Sequence, residues 1–122
     1  RRNDMPRFGL DKMLDEKQIN DVAEYVLTLS GGKADAAAAE RGKVIFADNC
    51  VSCHAEGGVG NQEMGAPNLA DQIWLYGDTK EAIVKQINTG RGGVMPTWAG
   101  RLDKASLNKV VAYLNSLGGV TK

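Results

Sequence analysis

Cys50-Val51-Ser52-Cys53-His54 is the stretch on which the reading of this chain turns. The 122 residues include 2 Cys and 1 His, and all three fall in these five positions. A chain that concentrates its thiols and its imidazole in one pentapeptide has one chemical site. Cys-x-x-Cys alone is compatible with a disulfide, half of a zinc site or a thioredoxin-like redox pair. Structural zinc takes four ligands, and there is no further Cys or His to complete the set. A redox pair wants a strand-to-helix setting, and no run of β alternation is visible. With His directly after the second Cys, the pattern is that of c-type haem attachment. Two thiols three residues apart reach the two vinyl groups of a porphyrin as thioethers, and the next residue sets its imidazole under the iron. One covalent haem c is therefore expected on Cys50, Cys53 and His54.

The rest of the composition narrows the partners. Lys and Arg number 15, Asp and Glu number 15, and the net charge is zero. Nucleic-acid binding needs a cationic excess to displace counterions, so nucleic acid is not an expected partner. Local patches can still steer docking to a protein. No apolar stretch approaches the roughly 18 residues that cross a bilayer, so no membrane contact is expected from this segment itself. No signal peptide opens the chain. Arg1-Arg2-Asn3-Asp4 reads as a cut inside a longer protein, whose export signal or anchor would not be visible here.

Four amphipathic helical segments are predicted, separated by Gly- and Pro-rich loops, so the fold class is all-α. The first runs from about Asp15 to Ser30, with Asp15 and Gln18 as a capping box and Ile19, Val22, Ala23, Val26 and Leu29 on one stripe. The second covers about Ala36 to Asn49 after an Asp35 cap, with Val44, Ile45 and Phe46 facing inward. The third follows the Thr79 cap to Asn88, with Ile83 and Ile87 inward and Gly90 at its end. The last runs from about Asp103 to Leu117, with Leu107, Val110, Val111, Leu114 and Leu117 on one face and Gly118-Gly119 closing it.

Laid side by side, the two ends of the chain repeat one another. Met5-Pro6-Arg7-Phe8 matches Met95-Pro96-Thr97-Trp98 at an offset of 90. Leu14, Ile19, Val22, Tyr25, Leu29 and Gly31 then match Leu102, Leu107, Val110, Tyr113, Leu117 and Gly119 at an offset of 88. Residues 1–32 thus read as the tail of a preceding domain of the same kind, its own Cys-x-x-Cys-His missing. Residues 33–122 read as the complete unit. A unit of about 90 residues is marginal without a staple, metal or cofactor, and a haem offers an apolar plate for helices to pack around.

With a single His, intramolecular bis-histidine ligation is impossible, so the sixth iron ligand is sought among Met5, Met13, Met64 and Met95. Met64 is too near His54 in sequence to reach the opposite haem face, and Met13 belongs to the foreign tail. Met95 lies in Gly90-Arg91-Gly92-Gly93-Val94-Met95-Pro96, where glycines permit close backbone approach and Pro96 stiffens the strap. His54 and Met95 are the expected metal ligands, the alternative being Met95 as a core filler. Met5, its repeat partner, is expected to be solvated or loosely packed. A neutral thioether favours ferrous iron and raises the potential. A six-coordinate iron leaves no open position, so electron transfer rather than catalysis is expected.

On these residues the chain resembles class I c-type cytochromes: Cys-x-x-Cys-His, a downstream Met-Pro loop and a terminal amphipathic helix. The resemblance implies a class I cytochrome c fold, helices wrapped around one haem. It implies that Gly42 and Phe46 mark the crossing of the first helix of the domain with the last, where Tyr113 and Leu114 are available. It also implies that the Pro67 carbonyl holds the haem-ligating imidazole in its tautomer. A closer resemblance rests on Gly65-Ala66-Pro67-Asn68-Leu69, Ile73-Trp74-Leu75-Tyr76-Gly77 and the Gly90–Pro96 loop. These are similar to the dihaem cytochrome subunit of cbb-type haem–copper oxidases, and Met5–Gly9 and Tyr25–Gly31 fit the end of that subunit's first haem domain. This resemblance implies a parent anchored in the cytoplasmic membrane with its haem domains on the periplasmic side. Its partners would be a preceding haem domain, other oxidase subunits and a soluble donor cytochrome.

Trp74 and Tyr76 are expected against the haem edge, as core packing or with a polar tip on a propionate. Arg91 is a candidate propionate partner or a solvated surface residue. Two further readings stand beside the oxidase relay. One is an electron-carrier module of a dehydrogenase or other dihaem cytochrome. The other is a ligand-binding or peroxidase-like haem protein, disfavoured because there is no second His to act on peroxide.

Overall fold

The computed structural model describes residues 4–118. Arg1–Asn3 and Gly119, named above for the chain start and for the close of the last helix, lie outside the described residues. The described residues form helices and no strand, with a single isolated bridge between Asn61 and Ala66. The order is α1 (Glu16–Leu29), α2 (Ala36–Asn49), α3 (Val51–His54), a 3-10 turn (Glu56–Gly58), α4 (Lys80–Thr89) and α5 (Lys104–Ser116). Two compact units result, one ending at Gly92 and the other beginning at Gly93.

In the first unit, α1 starts at a complete capping box. The Gln18 amide donates to the Asp15 carboxylate at 2.8 Å, and the Asp15 amide donates to Gln18 Oε1 at 2.9 Å. The expected stripe is buried at Ile19, Val22, Ala23 and Val26. Helix α2 begins where Asp35 accepts from the Ala38 amide at 2.7 Å. Its inward face differs from expectation. Val44 is 63% exposed, and burial falls instead on Ala38, Ala39, Gly42 and Phe46. The reason is close approach: a Cβ on Gly42 would lie 1.9 Å from the Asp21 carbonyl oxygen. Small residues let the backbones of α1 and α2 touch, and a larger face has no room. Phe46 then meets Tyr25 edge-on, ring centres 5.2 Å apart. Helix α2 thus crosses α1 at Gly42 and Phe46.

Ion pairs fasten the same packing. Asp21, buried on α1, accepts two hydrogen bonds from Arg41 at 2.8 Å and one from Lys17 at 3.0 Å. Glu24, also buried, pairs with Lys80 of α4 at 2.6 Å and accepts from the Asp35 amide at 3.0 Å. The Arg41 hydrogen bonds hold the Asp21 carboxyl down at about 2 against the opposing effect of burial. An unfolded Asp titrates near 3.9, so this carboxylate contributes stability at neutral pH that is lost as pH falls from about 4 to about 2. Asp21→Asn is expected to lower the unfolding free energy by about 1–2 kcal/mol at neutral pH, because Arg41 is half-exposed and can resolvate. The same variant should flatten the acid limb of a urea-unfolding series taken across pH.

Helix α4 is capped by Thr79, buries Ile83 and Ile87 and ends at Gly90 in the left-handed region, φ +56°. Residues 5–14 run along its end. The Phe8 amide donates to the Ile87 carbonyl at 3.1 Å and that of Leu10 to Asn88 at 3.2 Å, while the Phe8 and Leu14 side chains are buried. A Cβ on Gly90 would strike the Met5 and Pro6 carbonyls, so glycine is needed there both for its φ and for this contact. Residues 4–32 therefore pack with 33–92 in one unit.

The second unit holds α5, capped by Asp103, whose carboxylate accepts from the Ser106 amide at 2.7 Å. No residue of α5 is buried, and Val111 and Leu114 are 55% and 56% exposed. Arg101 lies over the Trp98 ring at 5.3 Å.

Candidate functional site

Cys50 is the residue at which α2 ends, and α3 follows at once with Val51, Ser52, Cys53 and His54. The helix restarts because the Cys50 carbonyl accepts from the His54 amide at 2.9 Å. Both cysteines are half-buried free thiols. Burial pushes the Cys50 thiol up to about 11, with a smaller contribution from Cys53. The sequence pattern was too short to show this one-turn helix as an element.

His54 is buried, and its Nδ1 lies 3.0 Å from the Pro67 carbonyl oxygen. A carbonyl only accepts, so Nδ1 carries the proton and Nε2 keeps its lone pair. Burial also lowers the imidazole pKa, and the Pro67 carbonyl pulls the other way. The result is a neutral ring with one bare nitrogen, the form a metal requires.

The loop that brings Pro67 back is tied down at several points. Ala55, directly after His54, adopts φ +62°, ψ 168°, a conformation that side chains rarely take. The Gly60 amide donates to the His54 carbonyl at 2.8 Å and the Leu69 amide to the Gly58 carbonyl at 2.6 Å. Asn61 and Ala66 exchange amide hydrogen bonds of 3.0 and 2.9 Å. Cys50, Val51, Leu69 and Trp74 pack, half-buried, against the core that contains Phe46.

Tyr76 is half-buried under the Arg91 guanidinium, 4.0 Å above its ring, so these two engage each other. Met95 belongs to the second unit and is 84% exposed. Met13 and Met64 are exposed as well. Met5, expected to be solvated or loosely packed, is half-buried against the core, and its sulfur accepts from Gln86 Nε2 at 3.7 Å. Gln86 also donates to the Arg91 carbonyl at 2.5 Å. No sequence signal pointed to Gln86, since a glutamine on a short amphipathic helix reads as surface.

Two adjacent thiols, a neutral imidazole held from behind and an apolar lining fit a covalently attached haem. Among the described residues no cluster of three or more His, Cys, Asp or Glu could hold a bare metal ion instead. No helix among them is long and apolar enough to cross a membrane.

Comparison with known proteins agrees with this chemistry. The family "Cytochrome C oxidase, cbb3-type, subunit III" matches residues 37–114. The Cbb3-type cytochrome c oxidase subunit CcoP of Cereibacter sphaeroides is 49% identical over 119 residues, 98% of this chain and 41% of that protein. Subunit FixP of Bradyrhizobium diazoefficiens is 50% identical over 119 residues, 94% of this chain and 40% of that protein. Subunit CcoP of Rhodobacter capsulatus is 50% identical over 122 residues, covering 41% of its length. The chain thus spans about two fifths of the relatives it matches. Family and site coincide on the same residues, and the chain belongs to the cbb3-type cytochrome c oxidase subunit III family.

Proposed function

We propose that this chain is an electron-relay domain carrying one covalent haem c, serving a cbb-type terminal oxidase. The observation that carries the reading is the His54 imidazole, buried and neutral beside two thiols, with its Nδ1 proton committed to the Pro67 carbonyl. Cys50 and Cys53 would hold the haem as thioethers, and His54 Nε2 and the Met95 thioether would ligate its iron. The haem supplies a one-electron ferric/ferrous couple. The chain's residues fix its position, exclude water from one face and hold the imidazole in a single tautomer.

Within the parent protein the partners are other oxidase subunits, a preceding haem domain ending in residues 1–32, and a soluble donor cytochrome. The haem domains lie on the periplasmic side of the cytoplasmic membrane. Trp74 packs at the haem edge, and Tyr76 with Arg91 forms a polar flank near it. No catalytic residue is assigned, since iron with two protein ligands has no open position.

Visible spectroscopy of the haem-loaded chain tests the reading. A sharp reduced α-band, a ferric iron–sulfur charge-transfer band and resistance to carbon monoxide are expected. Haem that extracts into acidified organic solvent, or rapid carbon monoxide binding at neutral pH, refutes it.

A further inference from the structure

From the haem reading above, on which this assignment rests, we infer that Gly60 is a positioning residue for the His54 imidazole. Having no side chain, it lets the peptide between Pro67 and Asn68 close on His54, and a Cβ there would push that peptide off the ring.

Two hydrogen bonds grip His54 from the same short loop. Its backbone carbonyl accepts from the Gly60 amide at 2.8 Å, and its Nδ1 donates to the Pro67 carbonyl at 3.0 Å. His54 is therefore held at its backbone by residue 60 and at its ring by residue 67. The separation of those two residues decides whether both bonds can form.

That separation leaves no room for a side chain. A Cβ on Gly60 would lie 2.7 Å from the Asn68 nitrogen, 2.8 Å from the Pro67 carbonyl carbon and 2.9 Å from the Ala66 carbonyl oxygen. The first two atoms belong to the peptide unit whose oxygen receives the His54 proton. A peptide unit is planar and stiff, so moving its carbon and nitrogen carries the oxygen with them.

The loop around this contact is pinned. Asn61 Oδ1 accepts from the amides of Glu63 at 2.9 Å and Met64 at 3.3 Å, closing the turn between the two gripping residues. The Leu69 amide ties the far side to Gly58. Non-bonded carbons rest roughly 3.5–4.0 Å apart, so an added methyl drives the Pro67 peptide back by roughly 0.7 Å. A bond of 3.0 Å lengthened so far passes the limit of about 3.2 Å for ordinary N–H···O pairs. Donation from Nδ1 to a carbonyl makes the ligating nitrogen more basic, and a more basic imidazole favours ferric iron. Weakening that donation raises the potential.

Redox titration of the haem-loaded chain, with proton magnetic resonance of its ferrous form, reads both ends of this linkage. Gly60→Ala is expected to raise the midpoint potential. It should also speed solvent exchange of the His54 Nδ1 proton by about tenfold, the factor that one hydrogen bond of ordinary net strength represents. Gly60 has φ +84°, so alanine there also strains the backbone, and Gly57→Ala is the control. Gly57 shares the left-handed conformation at φ +69°, but a methyl on it meets nothing within 4 Å. It should move neither readout.

A Gly60→Ala protein with the potential and exchange rate of the unaltered chain overturns the assignment. So does a Gly57→Ala protein shifted as far as Gly60→Ala. Should Gly60→Ala take up no haem, Asn61→Ala carries the test, because it loosens the same turn without adding an atom. A raised potential in Asn61→Ala supports the role of Gly60, and an unmoved one overturns it. An unaltered chain that forms no covalent haem refutes the haem reading itself, a result distinct from all of these.

Discussion

Gly42→Val is expected to separate α1 from α2 and to unfold the first unit at or near room temperature. The added side chain begins 1.9 Å from the Asp21 carbonyl oxygen and 2.9 Å from the Val22 Cα, both backbone atoms of a helix that cannot swing aside. Rotamer adjustment offers no escape, because the clash lies at the Cβ. Relief requires the helices to part by more than an atomic radius. Separation exposes Ile19, Val22, Ala23 and Val26, each of which contributes on the order of 1–3 kcal/mol when buried. It also stretches the Asp21–Arg41 pair. A loss of at least about 4 kcal/mol follows, a large share of the 5–15 kcal/mol that keeps a typical domain folded. The urea midpoint by circular dichroism measures it. A midpoint within error of the unaltered chain is incompatible with the α1–α2 contact.

His54→Ala should remove the nitrogen ligand while leaving the haem bound through Cys50 and Cys53. No other His exists to replace it. The reduced haem is expected to lose its sharp low-spin α-band and to bind carbon monoxide rapidly, whereas the unaltered chain resists it. The apparent potential should also move, because the imidazole that Pro67 makes more basic is gone. Spectra with and without carbon monoxide, together with a redox titration, measure all three. A low-spin, carbon monoxide-resistant His54→Ala protein would mean that the iron draws its ligands from elsewhere.

The sequence was readable wherever local chemistry decides structure. The Asp15, Asp35 and Thr79 caps each accept the expected amide, because a short polar side chain before an apolar stripe has one good use. Cys50, Cys53 and His54 were legible for a similar reason: their spacing is itself the chemistry. What escaped was the pairing of Asp21 with Arg41 and Glu24 with Lys80, residues distant in sequence whose contact helical spacing does not display. Val44 was misplaced because hydropathy favours large side chains inside. Close helix approach at Gly42 reverses that preference and turns the small face of α2 inward.

Ala55 carries a consequence for speed. Its backbone sits in a region that costs on the order of 1–3 kcal/mol for anything but glycine, and it does so one residue after the imidazole. The hydrogen bonds around it leave the ring little freedom to tilt when the iron gains or loses charge. Small nuclear rearrangement on each change of oxidation state is what a fast hop between cofactors demands, so the disfavoured dihedral trades a little foldedness for low reorganisation.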